Sequence, residues 1–116
     1  MIRKQNKLNS VEFSKVFTEG SWVRSDFFTL KYLDMGFREM KCAATVSKKY
    51  TKTAILRNYK RRQIYNLLRN HLSKKNDTLH TGYGIILVLS KLGVGEGFGE
   101  LEKDFDELMK KCKARM

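Results

Sequence analysis

The chain has 116 residues, which fits one compact domain, residues 1–116, with a small core drawn from its 41% hydrophobic content. Twenty-four lysines and arginines against twelve acids give a formal net charge of +12. Such a field attracts polyanions, so a nucleic acid is the first partner to consider and an anionic membrane surface the second. No run of about 18 apolar residues is present to form a spanning helix. The charged start "MIRKQNKLNSVEF" lacks the apolar segment of a secretory signal. Cys42 and Cys112 lie far apart with no metal-ligand spacing, as expected of two reduced thiols in a cytoplasmic protein.

"NSVEFSKVFTEG" predicts a first helix. Asn9 is placed to cap it with Glu12 three residues on, Phe13 and Phe17 fall one turn apart, and Gly20 ends it. "WVRSDFFTLKYLDMGF" then alternates as a strand. Phe28, Leu30 and Tyr32 share one face, and Phe27, Thr29, Lys31 and Leu33 share the other. Asp34 to Gly36 is turn chemistry, and Met40 to Val46 reads as the returning strand. From Thr53 to about Leu72 the pattern is helical, with Ile64, Leu67, Leu68 and Leu72 as its apolar stripe. Gly82 to Lys91, "GYGIILVLSK", holds the continuous apolar run of a central strand. "GVGEGFG" reads as a loop, since it lacks the Lys-Ser/Thr of a phosphate-binding loop. Phe98, Leu101, Phe105, Leu108, Met109 and Cys112 then define a closing helix. This order makes an α+β sandwich, with helices packed on a sheet.

Charge is spread unevenly. Eleven lysines and arginines and no acid fall between Glu39 and Asp77, whereas six acids fall between Glu96 and Glu107. Followed backward, the stripe of the second helix runs into Lys60, Arg61 and Arg57. A cation buried without a partner is costly, so the first two turns are expected at the surface, beyond the core. They also form a helix N-terminus, which favours anions and disfavours cations. Cations at that end point to an external anion, held by a helix whose apolar tail anchors it. No second helix precedes it at helix-turn-helix spacing, which argues against a DNA-binding regulator. No nucleophile, base or carboxylate pair stands beside the basic segment, which argues against a protein-only nuclease. His71 and His80 have neither metal spacing nor a catalytic partner.

Residues 47–62, "SKKYTKTAILRNYKRR", resemble the signature of the bacterial ribonuclease P protein family. There a strand ends in Ser-Lys-Lys, a lysine-bearing loop follows, and a helix opens on Arg-Asn-Arg-x-Lys-Arg. Ser47, Lys48, Lys49, Lys52, Ala54, Arg57, Asn58, Arg61 and Arg62 match. Leu8, Phe13, Val16, Phe17 and Gly20 are similar to the family's opening helix, Phe28 and Leu30 to its first long strand, and "GYGIILVL" to its last. The resemblance implies an α/β sandwich of ribosomal-protein-like fold. Its four-stranded sheet would be packed with three helices and contain a left-handed βαβ crossover, where pattern alone favours the right-handed form. It also implies the protein subunit of a ribonucleoprotein that removes the 5′ leader from precursor tRNA in the cytoplasm. The RNA subunit would carry the active site and hold most of the Mg2+, leaving no catalytic residue and no metal site in the protein. The implied partners are the catalytic RNA and precursor tRNA, not DNA or a membrane. The alternative is a non-catalytic structured-RNA-binding protein such as a ribosomal protein.

The expected RNA-binding set is Ser47, Lys48, Lys49, Lys52, Arg57, Asn58, Lys60, Arg61 and Arg62, in which the arginine fork suits phosphate. Spacing alone makes Phe13 and Phe17 core residues. The resemblance makes them, with Phe27, Thr29 and Lys31, the lining of a leader cleft. Four positions depart from the family. Tyr59 stands in place of the second arginine, Lys60 in place of an apolar residue, Gly84 in place of an acid, and Lys31 in place of a cleft aromatic. Lys60 is expected to supply the missing charge, with stacking by Tyr59 as the other account.

Overall fold

A computed structural model describes residues 6–38, 40–72 and 82–115, without the side chains of 71, 72 and 113–115. His80, and the side chains of His71 and Leu72, therefore lie outside the described residues. In chain order the elements are α1 (Ser10–Glu19), β1 (Ser21–Arg24), β2 (Phe28–Asp34), β3 (Lys41–Val46), α2 (Ala54–Leu72), β4 (Tyr83–Leu89) and α3 (Phe98–Arg115). The strands form one sheet in the order β1-β2-β4-β3. β1 and β4 flank β2 as antiparallel neighbours, whereas β3 and β4 run parallel. α2 is thus the crossover of a βαβ unit, and β4 is the inner strand that its apolar run predicts.

The sheet is covered unequally. α2 lies on β3 and α3 on β1 and β2, over one face. Their stripes meet the sheet in the larger core, around Phe28, Leu30, Ile64, Leu68, Ile85, Leu87, Leu101 and Phe105. On the other face α1 alone crosses β4 and β2. It buries Val16 with Ala43 and Ile86, flanked by Leu8, Phe13, Leu33 and Val88.

The start of α1 carries the expected reciprocal cap. Glu12 N–H donates to Asn9 Oδ1 at 2.8 Å, and Asn9 N–H donates to Glu12 Oε1 at 2.9 Å. Gly20 ends the helix as expected, but by another geometry. Gly20 has φ −73°, so it is extended and not a left-handed cap. Its small size serves close approach, because a Cβ there would sit 2.5 Å from Val16 O and 2.8 Å from Tyr32 O.

The stretch read as a single strand is a hairpin, which supplies the fourth strand. Ser25, Asp26 and Phe27 interrupt it, and Ser and Asp favour turns. The buried Asp104 carboxylate of α3 fixes the turn by accepting from Ser25 Oγ at 2.5 Å and from Phe27 N–H at 3.1 Å.

Gly84 explains one departure from the family pattern. A Cβ on it would lie 2.7 Å from Val16 Cγ2, the buried centre of the α1 contact. A side chain there has to lift α1 off the sheet. Gly84→Ala is therefore expected to lower the unfolding free energy by about 1–3 kcal/mol, the usual cost of overpacking. Gly95→Ala is the control, since nothing lies within 4 Å of its Cβ position. Urea midpoints of the two variants check this, and equal midpoints would contradict the close-contact account.

Candidate RNA interface

The basic segment begins where β3 ends. Ser47 O accepts from Thr51 N–H at 3.2 Å and from Thr51 Oγ1 at 2.7 Å, and Ser47 Oγ accepts from Lys49 N–H at 3.1 Å. These bonds close a tight loop around the buried Thr51. Thr53 Oγ1 accepts from Leu56 N–H at 3.1 Å, capping the start of α2. Arg57 folds back to donate from Nη1 to Thr51 O at 2.9 Å, so it braces the loop while remaining half-buried. Lys48, Lys49, Lys52, Asn58 and Arg62 are exposed, and Arg61 is partly so. The loop and first two turns therefore present one dense field of cations to solvent.

Lys60 is not part of that field. It is 5% exposed, and its Nζ donates to Glu96 O at 2.6 Å. The expectation that it replaces the missing arginine is corrected by this placement. The residue continues the Ile64 stripe into the core, where the family has an apolar side chain. Its stem lies in that apolar position while its head reaches the loop before α3. Burial lowers its pKa below the usual 10.5, partly opposed by the charge of Glu96. Tyr59 is the side chain that faces solvent here, at 57% exposure.

The second surface is the face of the sheet that α1 leaves open. Strand register sets its rows. Trp22, Lys31, Ile86 and Ala43 lie side by side, and Arg24, Thr29, Val88 and Thr45 form the next row. α1 covers the row beyond them, where Leu33, Gly84 and Lys41 pair, and seals Ile86 and Ala43 beneath Val16, so the open part is Trp22, Lys31 and the Arg24–Thr29–Val88–Thr45 row. Glu12 anchors α1 through an ion pair with Lys41 Nζ at 3.1 Å. The Glu12 carboxyl is held below its ordinary pKa, first by the Asn9 N–H bond and then by Lys41, against some desolvation.

Phe13 and Phe17 stack along the wall of this cleft, with ring centroids 5.8 Å apart and planes within 15°. Phe13 packs on the Val16–Ile86 cluster, whereas Phe17 is 44% exposed. Lys31 ties the wall to the floor. Its Nζ sits 3.7 Å from the Phe17 ring centroid and donates to Phe17 O at 3.0 Å. α1 has no basic residue in its own last turn, so Lys31 supplies the cation that favours a helix C-terminus.

Phe27 is corrected. β2 begins at Phe28, and Phe27 belongs to the preceding turn, packed against the larger core beneath α3. It does not share the cleft face with Thr29 and Lys31. Trp22, Arg24, Thr45 and Val88 do line that face, and the sequence reading missed them. Reading "SWVR" as its own strand, with Val23 inward, was the available signal.

The sequence model of the family described as Ribonuclease P matches residues 1–113. The chain belongs to the ribonuclease P protein family. It is similar to the ribonuclease P protein component of Pseudanabaena sp. (strain PCC 6903), at 30% identity over 97% of this chain and 96% of that protein. The component from Coprothermobacter proteolyticus is 40% identical over 78% of this chain and 68% of its own. In fold, the chain resembles the Staphylococcus aureus RNase P protein with a TM-score of 0.80, at 18% identity over 96% of this chain and 97% of that one. The chain is thus a protein component of ribonuclease P, an endoribonuclease that works with an RNA subunit in tRNA 5′ maturation. A ribosomal protein is not the favoured reading.

The Lys60 contact has a pH signature. The unfolded chain titrates this group near 10.5, above the folded state, so the unfolded state holds more protons between the two values. Stability must then rise with pH as 10.5 is approached from below. Compared with Lys60→Met, the wild type is expected to gain unfolding free energy in that alkaline window and to show a constant offset near neutrality. Denaturation at a series of pH values checks it, and a flat difference throughout would mean a solvated ammonium.

Proposed function

We propose that the two surfaces of this ribonuclease P protein bind two different RNAs. The basic loop and the start of α2 grip the catalytic RNA, and the cleft beneath α1 takes the single-stranded 5′ leader of precursor tRNA. One observation carries the reading: both surfaces open at the same end of the sheet. Thr45 on the cleft floor lies two residues before Ser47, the first residue of the basic loop. A strand of RNA leaving the cleft therefore passes directly to the cations that face the larger RNA.

In this reading Lys48, Lys49, Lys52, Arg61 and Arg62 neutralise phosphates, Asn58 and Ser47 hydrogen-bond the backbone, and Arg57 holds the loop in shape. Phe13, Phe17, Thr29 and Lys31 receive the leader, with the aromatic wall stacking on bases. Lys60 and Phe27 drop out of the two sets.

The protein contributes positioning and charge. Two RNAs brought together repel, and cations placed between them relieve that repulsion while releasing counterions. Cleavage and its Mg2+ belong to the RNA subunit. Among the described residues no three His, Cys, Asp or Glu side chains come together to hold a metal ion. Among the same residues, no helix is long and apolar enough to cross a membrane. Work on precursor tRNA in the cytoplasm completes the proposal.

Salt dependence separates the assignments. Arg61→Ala is expected to weaken binding to the catalytic RNA and to reduce the log–log salt slope by about one. Lys60→Met is expected to keep the wild-type slope. If Lys60→Met loses slope and Arg61→Ala does not, the assignment of the two residues is reversed.

Leader recognition is read by difference. Phe17→Ala removes a half-exposed ring and leaves the core packed. It is expected to weaken holoenzyme binding of leader-containing precursor about tenfold more than of mature tRNA. Equal losses for both RNAs would make Phe17 a packing residue and remove the leader from this cleft.

A further inference from the structure

Beyond Lys31 the open face of the sheet does not stop. It continues onto β1, the edge strand, where Trp22 pairs with Lys31 and Arg24 with Thr29. Val23 between them is buried in the larger core, so Trp22 and Arg24 both stand on the α1 side of the sheet. Trp22 is 53% exposed, a large ring half in water on an edge strand. The Arg24 guanidinium carbon lies 5.0 Å from its ring centroid, within cation–π reach. Two strand neighbours lie about 4.8 Å apart, so the Trp22 platform adjoins the Phe17–Lys31 pair directly.

We propose that Trp22 and Arg24 form an additional nucleotide subsite at the outer rim of the leader cleft. A base of the single-stranded leader stacks on the Trp22 indole, and the Arg24 guanidinium binds the adjoining phosphate. The proposal rests on the cleft being the leader site.

Three features favour single-stranded RNA as the occupant. An aromatic face beside a planar cation is the arrangement that takes a base and its phosphate together. The platform is continuous, through the Trp22–Lys31 pairing, with an aromatic wall and a second cation. Arg24 also has its guanidinium beside the ring and, among the described residues, makes no ion pair with a carboxylate. Asp26, exposed in the hairpin turn past Arg24, sets the outer limit, because a phosphate placed there meets a like charge. The subsite therefore takes roughly one nucleotide rather than opening a long track. In this chain the cleft aromatic that Lys31 displaces from β2 is recovered one strand over.

Trp22 is the only tryptophan in the chain, so its fluorescence reports the subsite without a label. The test uses holoenzyme reconstituted from the full chain and its catalytic RNA, titrated with precursor tRNAs whose leaders grow one nucleotide at a time. Fluorescence is expected to remain unchanged with mature tRNA and the shortest leaders, then to quench at one particular leader length. Trp22→Ala is expected to bind the long-leader precursor about tenfold more weakly while matching wild type on leaders too short to reach the rim. Trp22→Phe recovers most of the loss, and Arg24→Ala lowers the salt slope on long leaders only. If Phe17→Ala loses leader discrimination while Trp22→Ala binds every leader as wild type does, with no change in Trp22 fluorescence, the rim subsite is wrong and the cleft reading stands. If neither variant alters leader discrimination, the cleft reading fails and the subsite fails with it.

Discussion

Val16 meets Gly84 with no room for a side chain between them, and the shape of the open sheet face depends on that contact. A single helix laid on a sheet needs a close approach to exclude water, since it brings only one narrow apolar stripe. Gly84 and Gly20 let the α1 backbone come down at two places, next to β4 and β2. The capping box and the Glu12–Lys41 ion pair hold its other end. Pinned this way, α1 covers the Leu33–Gly84–Lys41 row together with Ile86 and Ala43, and leaves the rest of that face bare. The cleft is the part of a β-sheet face that one helix is too narrow to hide.

The same economy of cover shapes α2. Its tail enters the larger core through Ile64, Leu67 and Leu68, while its head extends past the end of β3 among lysines and arginines. A helix with cations in its first turn works against its own dipole. Here the opposition is moderated locally. The Thr53 hydroxyl caps the N-terminus, and Arg57 is drawn aside to the Thr51 carbonyl. The remaining cations are left for an external polyanion, and binding one removes the unfavourable field that the free protein carries.

How much of this could be read beforehand depended on the length scale of the signal. The helices were legible because their stripes recur over several turns, and α2 and α3 start within a residue of where periodicity puts them. The central strand was legible because β4 is apolar on both faces, as burial between helices on either side requires. The β1–β2 hairpin was not. Alternation survives across Ser25–Phe27 by parity alone, and the residue that breaks the strand, Asp104, lies far away in sequence. Phe27 was misassigned for that reason, and Trp22 and Arg24 were overlooked for the same one. Lys60 failed differently. Its stripe position was read correctly, but the Glu96 carbonyl that satisfies a buried ammonium comes from a loop no local pattern connects to α2. With Lys60 inside, Tyr59 stands at the family's arginine position with no added charge beside it.

Charge placement also bears on orientation. α3 lies across β1 and β2 on the face opposite α1, and Glu100, Glu102, Asp106 and Glu107 are exposed along it. Lys103, Lys110 and Lys111 are exposed on the same helix, so that side carries mixed charge, whereas the α2 head and its loop carry cations with no acid among them. A polyanion is drawn more strongly to the α2 head than to the mixed α3 surface, which biases its orientation before any contact forms. One acid of α3 is excluded from this field. Asp104 turns inward to clamp the hairpin turn that carries Trp22 and Arg24 on one arm and Thr29 and Lys31 on the other. α3 thus sets, from the opposite side of the sheet, the strand geometry of the open face.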